Sequence, residues 1–164
     1  MKAPCLFAGI LAFALAAGGC SKESASAGKK DFVAQLTGGE QVPAVATAAS
    51  GNASFWLNPA GTEIRYKLTV ANLHNVTMAH LHLGALGKNG LPVVWLYPSA
   101  PPPKEIGGLT NGVLSEGSIN ADNLVGPIAG KTMGDLVAAI RANNIYVNVH
   151  TREHPDGEIR GQLR

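Results

Sequence analysis

The stretch EIRYKLTV at residues 63–70 decides the fold class of this chain. Its apolar side chains, Ile64, Tyr66, Leu68 and Val70, alternate strictly with polar ones. Successive side chains of a β-strand point to opposite faces, so this period of two predicts a strand with one buried and one wet face. A sheet that is solvated on one face is typical of antiparallel proteins.

Short segments of similar character recur along the rest of the chain and are separated by turn sequences rich in Asn, Pro and Gly. The further predicted strands are 32–37, 51–57, 76–83, 93–97, 112–119, 145–150 and 158–163. Such a series predicts an all-β fold, an antiparallel β-sandwich or barrel. One short helix is predicted at about residues 132–142, where Thr132 and Asp135 have the spacing of a capping box.

Composition limits what the chain can be. The 164 residues suit one domain, and 46% hydrophobic residues with a net charge of +2 exclude intrinsic disorder. The 20 glycines and 10 prolines argue against long helices. The weak charge, without a dense basic patch, argues against a nucleic-acid partner.

The N-terminus has the pattern of a secretion signal. Residues 1–19 hold Lys2, then an apolar run too short to cross a bilayer, then two glycines before Cys20. This ending resembles a bacterial lipobox, which predicts that Cys20 is acylated and that the membrane is a partner through the lipid. Ordinary cleavage near Gly19 and an uncleaved anchor are the alternatives.

Residues 20–30 are small and polar, which predicts a flexible tether to a domain at 31–164. Ser21 resembles the residue after the acylated Cys in lipoproteins sorted to an outer membrane, so the expected location is the cell envelope. The only cysteines are Cys5 and Cys20, so the mature domain has no disulfide and no thiolate chemistry.

Three histidines are the candidate metal ligands. His80 and His82 are two residues apart on a predicted strand and so share a face, while His150 ends another strand. Imidazole nitrogens suit copper or zinc, which makes these the possible cofactors, with the fourth position left open. Without thiolates, the donor type favours Cu²⁺ or Zn²⁺ over Cu⁺, and affinity should fall below the ordinary histidine pKa of ~6.5. His154, in a turn, is a weaker fourth candidate; the alternative is that these histidines are structural residues hydrogen-bonded to loop carbonyls.

The C-terminal residues 149–163 predict a hairpin that turns at the sequence PDG, residues 155–157. Glu158 and Arg160 share a face of its second strand. They are expected to form a cross-strand ion pair, the alternative being a ligand-binding pair.

The segments AHLHLG (79–84), YVNVHT (146–151), GEIRGQL (157–163) and the opening FVAQLTGGEQVP (32–43) resemble the CHRD (chordin) domain family. The resemblance implies a β-rich extracellular module, with an immunoglobulin- or superoxide-dismutase-like sandwich, and no established enzymatic activity. The strand with His80 and His82 also resembles the copper-binding strand of copper/zinc superoxide dismutases.

The favoured function is therefore a membrane-anchored envelope lipoprotein with a noncatalytic CHRD module that binds an envelope protein or a glycan. The alternative is a copper- or zinc-binding protein that uses the three histidines. A dismutase-like enzyme is the third class; sequence motifs of hydrolases and nucleotide-binding enzymes are absent.

Overall fold

The computed structural model describes Met1 and residues 30–164. The predicted signal peptide beyond Met1, the lipidation site Cys20 and the tether up to residue 29 lie outside the described residues. None of the helices within the described part is long and apolar enough to span a membrane.

Seven strands and one α-helix make up the described domain. The strands are β1 (Phe32–Thr37), β2 (Ser50–Leu57), β3 (Ile64–Leu83), β4 (Pro92–Tyr97), β5 (Ile106–Ile119), β6 (Ile145–Thr151) and β7 (Ile159–Gln162). The helix, α1, is Met133–Arg141, and the short 3-10 helices are Gly38–Glu40, Ala121–Asn123 and Gly126–Ile128.

Five strands close into a barrel. They follow the order β2-β1-β7-β6-β3, and β3 pairs with β2 to complete the ring. All the pairings are antiparallel, and β4 and β5 add to β3 outside the ring. The predicted all-β antiparallel fold with one short helix is confirmed.

The prediction of separate strands at 63–70 and 76–83 is wrong, because β3 runs without a break through 20 residues. Asn72 and Asn75 adopt left-handed backbone conformations, with φ of 57° and 50°. Asparagine tolerates this region better than most residues, so the strand can bend and shift register at these points without ending. The first half of β3 pairs with β2 and β5, and the second half pairs with β6 and β4. The predicted start of a strand at residue 112 is also wrong, because β5 begins at Ile106. Its pairing with β3 continues past the register shifts of β3.

The alternation in residues 63–70 sets the core. Ile64, Tyr66, Leu68 and Val70 are at most 8% exposed and face the barrel interior. Each such side chain contributes about 1.5–3 kcal/mol when it is buried.

The helix is formed and capped as predicted. The Thr132 hydroxyl accepts a hydrogen bond from the Asp135 backbone, and the Asp135 carboxylate accepts one from the Thr132 backbone. Leu136, Val137 and Ile140 are buried in the same core as the strands.

Candidate metal centre

Strand register gathers polar side chains on the outer face of the barrel. Direct partners on β3, β6 and β7 form two rows, His82–Tyr146–Gln162 and His80–Asn148–Arg160. Residues directly opposite one another in an antiparallel pair share a face. The neighbouring residues Leu81, Val147 and Gly161 have the opposite orientation and face the core side.

This polar layer is buried although it lies outside the barrel, because three loop segments cover it. We call residues 38–49, 84–91 and 152–157 the cover. The Gln41 side chain donates to Asn148 Oδ1 at 2.5 Å, and the Asn89 side chain donates to the Val42 carbonyl at 2.7 Å. The first contact joins the cover to the sheet, and the second joins two of its segments to each other.

His80, His82 and His150 meet beneath the cover. One ring nitrogen of each lies within 4.8 Å of those of the other two. Nδ1 of His80 is 3.3 Å from Nε2 of His150, and the three residues are 3%, 7% and 5% exposed. Of the four histidines named from the sequence, His154 is not part of this group; it lies in the cover and is half-buried.

Backbone carbonyls determine the protonation of two of these rings. Nδ1 of His82 is 2.9 Å from the Gly90 oxygen, and Nδ1 of His150 is 2.8 Å from the Pro155 oxygen. A carbonyl oxygen can only accept, so each Nδ1 carries a hydrogen and each Nε2 keeps a lone pair. Metal-bound histidines are commonly oriented in this way by a carbonyl on the second nitrogen.

His80 completes the hydrogen-bond network of the cluster, which leaves ring nitrogens with unused lone pairs. Since Nε2 of His150 is an acceptor, Nδ1 of His80 donates to it, and Nε2 of His80 then holds a lone pair. Nε2 of His80 and Nε2 of His82 are both buried without a hydrogen-bond partner. Buried polar atoms are satisfied in the large majority of cases, so two such atoms in one cluster make it a candidate ligand site.

All three rings are held in the neutral form that binds metals. Burial, aided by the neighbouring imidazoles, lowers the pKa of His80 to about 3. Burial is also the main reason that the pKa of His82 is lowered to about 4. The hydrogen bond to the Gly90 carbonyl opposes this shift, and the charges of His150 and Arg160 add smaller lowering effects. The pKa of His150 is lowered by burial too, although the Pro155 carbonyl and Asp156 oppose this. Loss of metal by protonation is therefore expected well below the value of ~6.5 that an unperturbed histidine predicts.

Aromatic rings and one cation enclose the cluster. Trp95 packs edge-on against His80, with ring centroids 4.2 Å apart, and Tyr146 stacks on His82 at 5.0 Å. The Arg160 guanidinium lies 3.5 Å from the centre of the Tyr146 ring. It also donates to the Lys88 carbonyl at 2.8 Å and to the Asn89 side chain at 3.0 Å, which ties the cover to β7.

The predicted ion pair between Glu158 and Arg160 is wrong. The Glu158 carboxylate accepts hydrogen bonds from the hydroxyls of Thr47 and Thr151, at 2.7 and 2.8 Å. Arg160 points instead to Tyr146 and the cover. Local spacing along one strand cannot reveal which loops fold over it, and these loops supply partners for both groups.

The arrangement is chemically a three-imidazole donor set. Copper and zinc bind imidazole nitrogen at about 2.0–2.1 Å, which places neighbouring ligand nitrogens about 3.3–3.5 Å apart in trigonal or tetrahedral sites. The ring nitrogens that the three histidines offer lie within 4.8 Å of one another, so small side-chain movements would bring them to this spacing. The cluster within residues 30–164 contains no fourth donor from His, Cys, Asp or Glu.

Sequence reasoning missed several residues that shape this site. Trp95 and the carbonyls of Gly90 and Pro155 carried no recognisable signal, because a packing ring and a backbone oxygen have no motif. The alternation of β6 does place Tyr146 on the strand face of His150, but it could not give the stacking of Tyr146 on His82.

Comparison with known proteins identifies the family of this chain. The chain matches the CHRD domain family over residues 32–163. This protein belongs to the CHRD domain family. Neither a curated protein nor a solved structure matches it.

Proposed function

We propose that this protein is a noncatalytic metal-binding module, which holds one copper or zinc ion at His80, His82 and His150. We further propose that acylated Cys20 anchors it in the cell envelope, with residues 21–30 as the tether. The single observation that carries the metal site is the pair of buried, unpartnered Nε2 atoms on His80 and His82, in the same cluster as His150.

Without a metal, the buried histidines carry an energetic cost. A buried polar atom that lacks a partner costs about 1–3 kcal/mol. The Gly90 and Pro155 carbonyls hold two rings in the tautomer that leaves Nε2 free for a metal. A purely structural role would be served by tautomers that satisfy every nitrogen, so the uncompensated lone pairs favour a metal ligand set.

Binding without turnover follows from burial. The three imidazoles are at most 7% exposed, and the cover lies between them and solvent. A substrate would need an accessible coordination position, whereas a stored or transferred metal ion needs only enclosure. The module therefore sequesters or delivers the ion.

The test is metal stoichiometry of the full chain, purified without a polyhistidine tag. We expect one equivalent of copper or zinc by calorimetry near neutral pH, with Cu⁺ titrated anaerobically, and elemental analysis after dialysis should give the same stoichiometry. His82→Ala and His150→Ala should each abolish stoichiometric binding. The matched control is His74→Ala, which removes an exposed histidine of the same strand and should bind as the wild type does.

Two results of this experiment would contradict the metal site. Wild-type protein that binds no metal, or His82→Ala protein that still binds one equivalent, would return the cluster to a structural role. Circular dichroism of each variant separates loss of ligand from loss of fold.

A further inference from the structure

We propose that the histidine site is a copper(I) site, which binds Cu⁺ with three ligands in preference to Cu²⁺ and Zn²⁺. The inference rests on the proposed function and adds the charge and coordination number of the ion. Two observations carry it: an uncharged and buried donor set, and the absence of a fourth donor from His, Cys, Asp or Glu within residues 30–164.

The donor set of the cluster carries no charge. The three donors are neutral imidazoles, and the cluster includes no carboxylate among the described residues. Glu158 is a buried carboxylate of the same domain, but both its oxygens accept hydrogen bonds from threonine hydroxyls outside the cluster. Asp156, which acts on His150 electrostatically, is exposed to solvent. A metal ion here therefore keeps its full charge.

Burial then discriminates between ions. The Born cost of transferring an ion from water into a low-dielectric interior grows with the square of its charge, so it is fourfold larger for a divalent ion than for a monovalent one of equal size. Zinc and copper(II) sites commonly reduce that cost with anionic ligands or with solvent at an open position. This site has neither an acid nor an open face, because all three rings are at most 7% exposed.

A buried cation next to the cluster adds to the same preference. The Arg160 guanidinium stacks on Tyr146, which stacks in turn on His82. Arg160 is itself only 2% exposed, so water screens its charge poorly. Repulsion by this cation is twice as large for a divalent ion as for Cu⁺ at the same position.

Coordination number points the same way. Structural zinc is almost always four-coordinate, and copper(II) adopts four-coordinate or tetragonal sites. Cu⁺ has a filled d shell and accepts three ligands in a plane. Trp95 packs against the His80 ring and Tyr146 stacks on the His82 ring, so both imidazoles have aromatic neighbours.

Donor softness acts in the opposite direction but is weaker here. Thiolates select Cu⁺, and this cluster has none, which is why the sequence alone favours the divalent ions. Imidazole is a borderline donor that binds both oxidation states of copper. Charge and coordination number therefore decide the preference.

The experiment measures affinities of the full chain for Cu⁺, Cu²⁺ and Zn²⁺. Cu⁺ is titrated anaerobically against bicinchoninate, and the divalent ions against chelators of known affinity. We expect Cu⁺ to bind more tightly than Cu²⁺ by about 100-fold or more, which raises the Cu²⁺/Cu⁺ potential by about 120 mV relative to equal binding, at roughly 59 mV per tenfold. X-ray absorption of the Cu⁺ form should show three nitrogen ligands.

His80→Asp tests the charge argument directly. An aspartate at this position would supply the missing negative charge beside His82 and His150, so the preference should shift toward Zn²⁺ by at least about tenfold. His74→Ala, which changes an exposed histidine, should leave every affinity unchanged.

Each outcome has a defined meaning. Zn²⁺ or Cu²⁺ binding as tightly as Cu⁺, or a four-coordinate Cu⁺ spectrum, would overturn the copper(I) site while leaving the proposed metal-binding function intact. Wild-type protein that binds none of the three ions would overturn the proposed function itself. If His80→Asp fails to fold by circular dichroism, the affinity ratio of the wild type alone decides.

Discussion

The Nδ1 atom of His82 lies 2.9 Å from the carbonyl oxygen of Gly90, so one loop both covers the histidine cluster and sets the tautomer of one of its rings. Gly90 follows Asn89, whose side chain accepts a hydrogen bond from Arg160 and donates one to Val42. The position of the cover is thus coupled to the donor geometry beneath it. Mutations in the cover should change metal binding without touching a ligand.

Arg160 offers the first test of that coupling. Arg160→Met should release the 84–91 segment, because it removes the hydrogen bonds to the Lys88 carbonyl and to Asn89. These hydrogen bonds are part-buried, so their loss should cost about 1–3 kcal/mol of stability. Metal dissociation, followed by stopped-flow chelator competition, should accelerate by about tenfold, equivalent to about 1.4 kcal/mol.

Arg65→Met is the matched control for this variant. Arg65 lies on an exposed position of β3, away from the cover, and should change neither stability nor dissociation rate by a measurable amount. An unchanged dissociation rate in folded Arg160→Met protein would show that Arg160 does not hold the cover over the cluster.

Gly157 tests the other side of the cover. Its φ is 122°, and an added Cβ would collide with the side chains of Asn148 and Gln41. Gly157→Ala should therefore destabilise the domain by about 2 kcal/mol or more and displace the adjacent Pro155 carbonyl from His150. Thermal unfolding and metal affinity should both fall.

Gly61→Ala separates backbone strain from collision. Gly61 also has positive φ, 71°, but nothing lies within 4 Å of an added Cβ. It should cost only about 1 kcal/mol, the ordinary penalty for the left-handed region, and should leave metal affinity unchanged. Equal losses in the two variants would contradict the packing of Gly157 against Asn148.

Stability of the metal-free protein should depend on pH through the buried histidines. Burial lowers the pKa of His80 to about 3 and of His82 to about 4, whereas both are near 6.5 in the unfolded chain. Between these values the unfolded chain binds more protons, so the free energy of unfolding falls as pH falls from about 6.5 toward 4. Above pH 7 both states are neutral at these groups, and their contribution is constant.

Urea unfolding at a series of pH values measures this effect. His80→Asn should flatten the slope between pH 6.5 and 4, while His74→Ala should retain the wild-type slope. A wild-type stability that is constant across this window would mean that the imidazoles are protonated as readily in the fold as in the unfolded chain.

The lipid anchor makes a prediction independent of the metal. Cys20→Ser removes the acylation site that the apolar run and the glycines before Cys20 predict. The variant should leave the membrane fraction for the soluble fraction, or accumulate as an unprocessed precursor. Detergent partitioning equal to the wild type would contradict the anchor, and Ser21→Ala, which leaves Cys20 in place, controls for changes near the cleavage site.

Local patterns determined the elements of this protein. The alternation in residues 63–70, the turn sequences and the capping box of Thr132 each act over a few residues, because the pleat of a strand and the first turn of a helix are local geometry. The pairing of His80 with His82 on one face followed from the same period of two. These features could therefore be predicted without knowing what packs against them.

Only the tertiary structure decided how the elements meet. The union of two predicted strands in β3 depends on left-handed conformations at Asn72 and Asn75, and the closure of the barrel depends on the pairing of β2 with β3. The approach of His150 to His80 follows from the register of β3 and β6 across 70 residues of chain. Burial of the cluster, the partners of Glu158 and Arg160, and the carbonyls that orient the rings come from loops folding over the sheet. Contacts of this kind join residues far apart in the chain, and no short-range pattern encodes them.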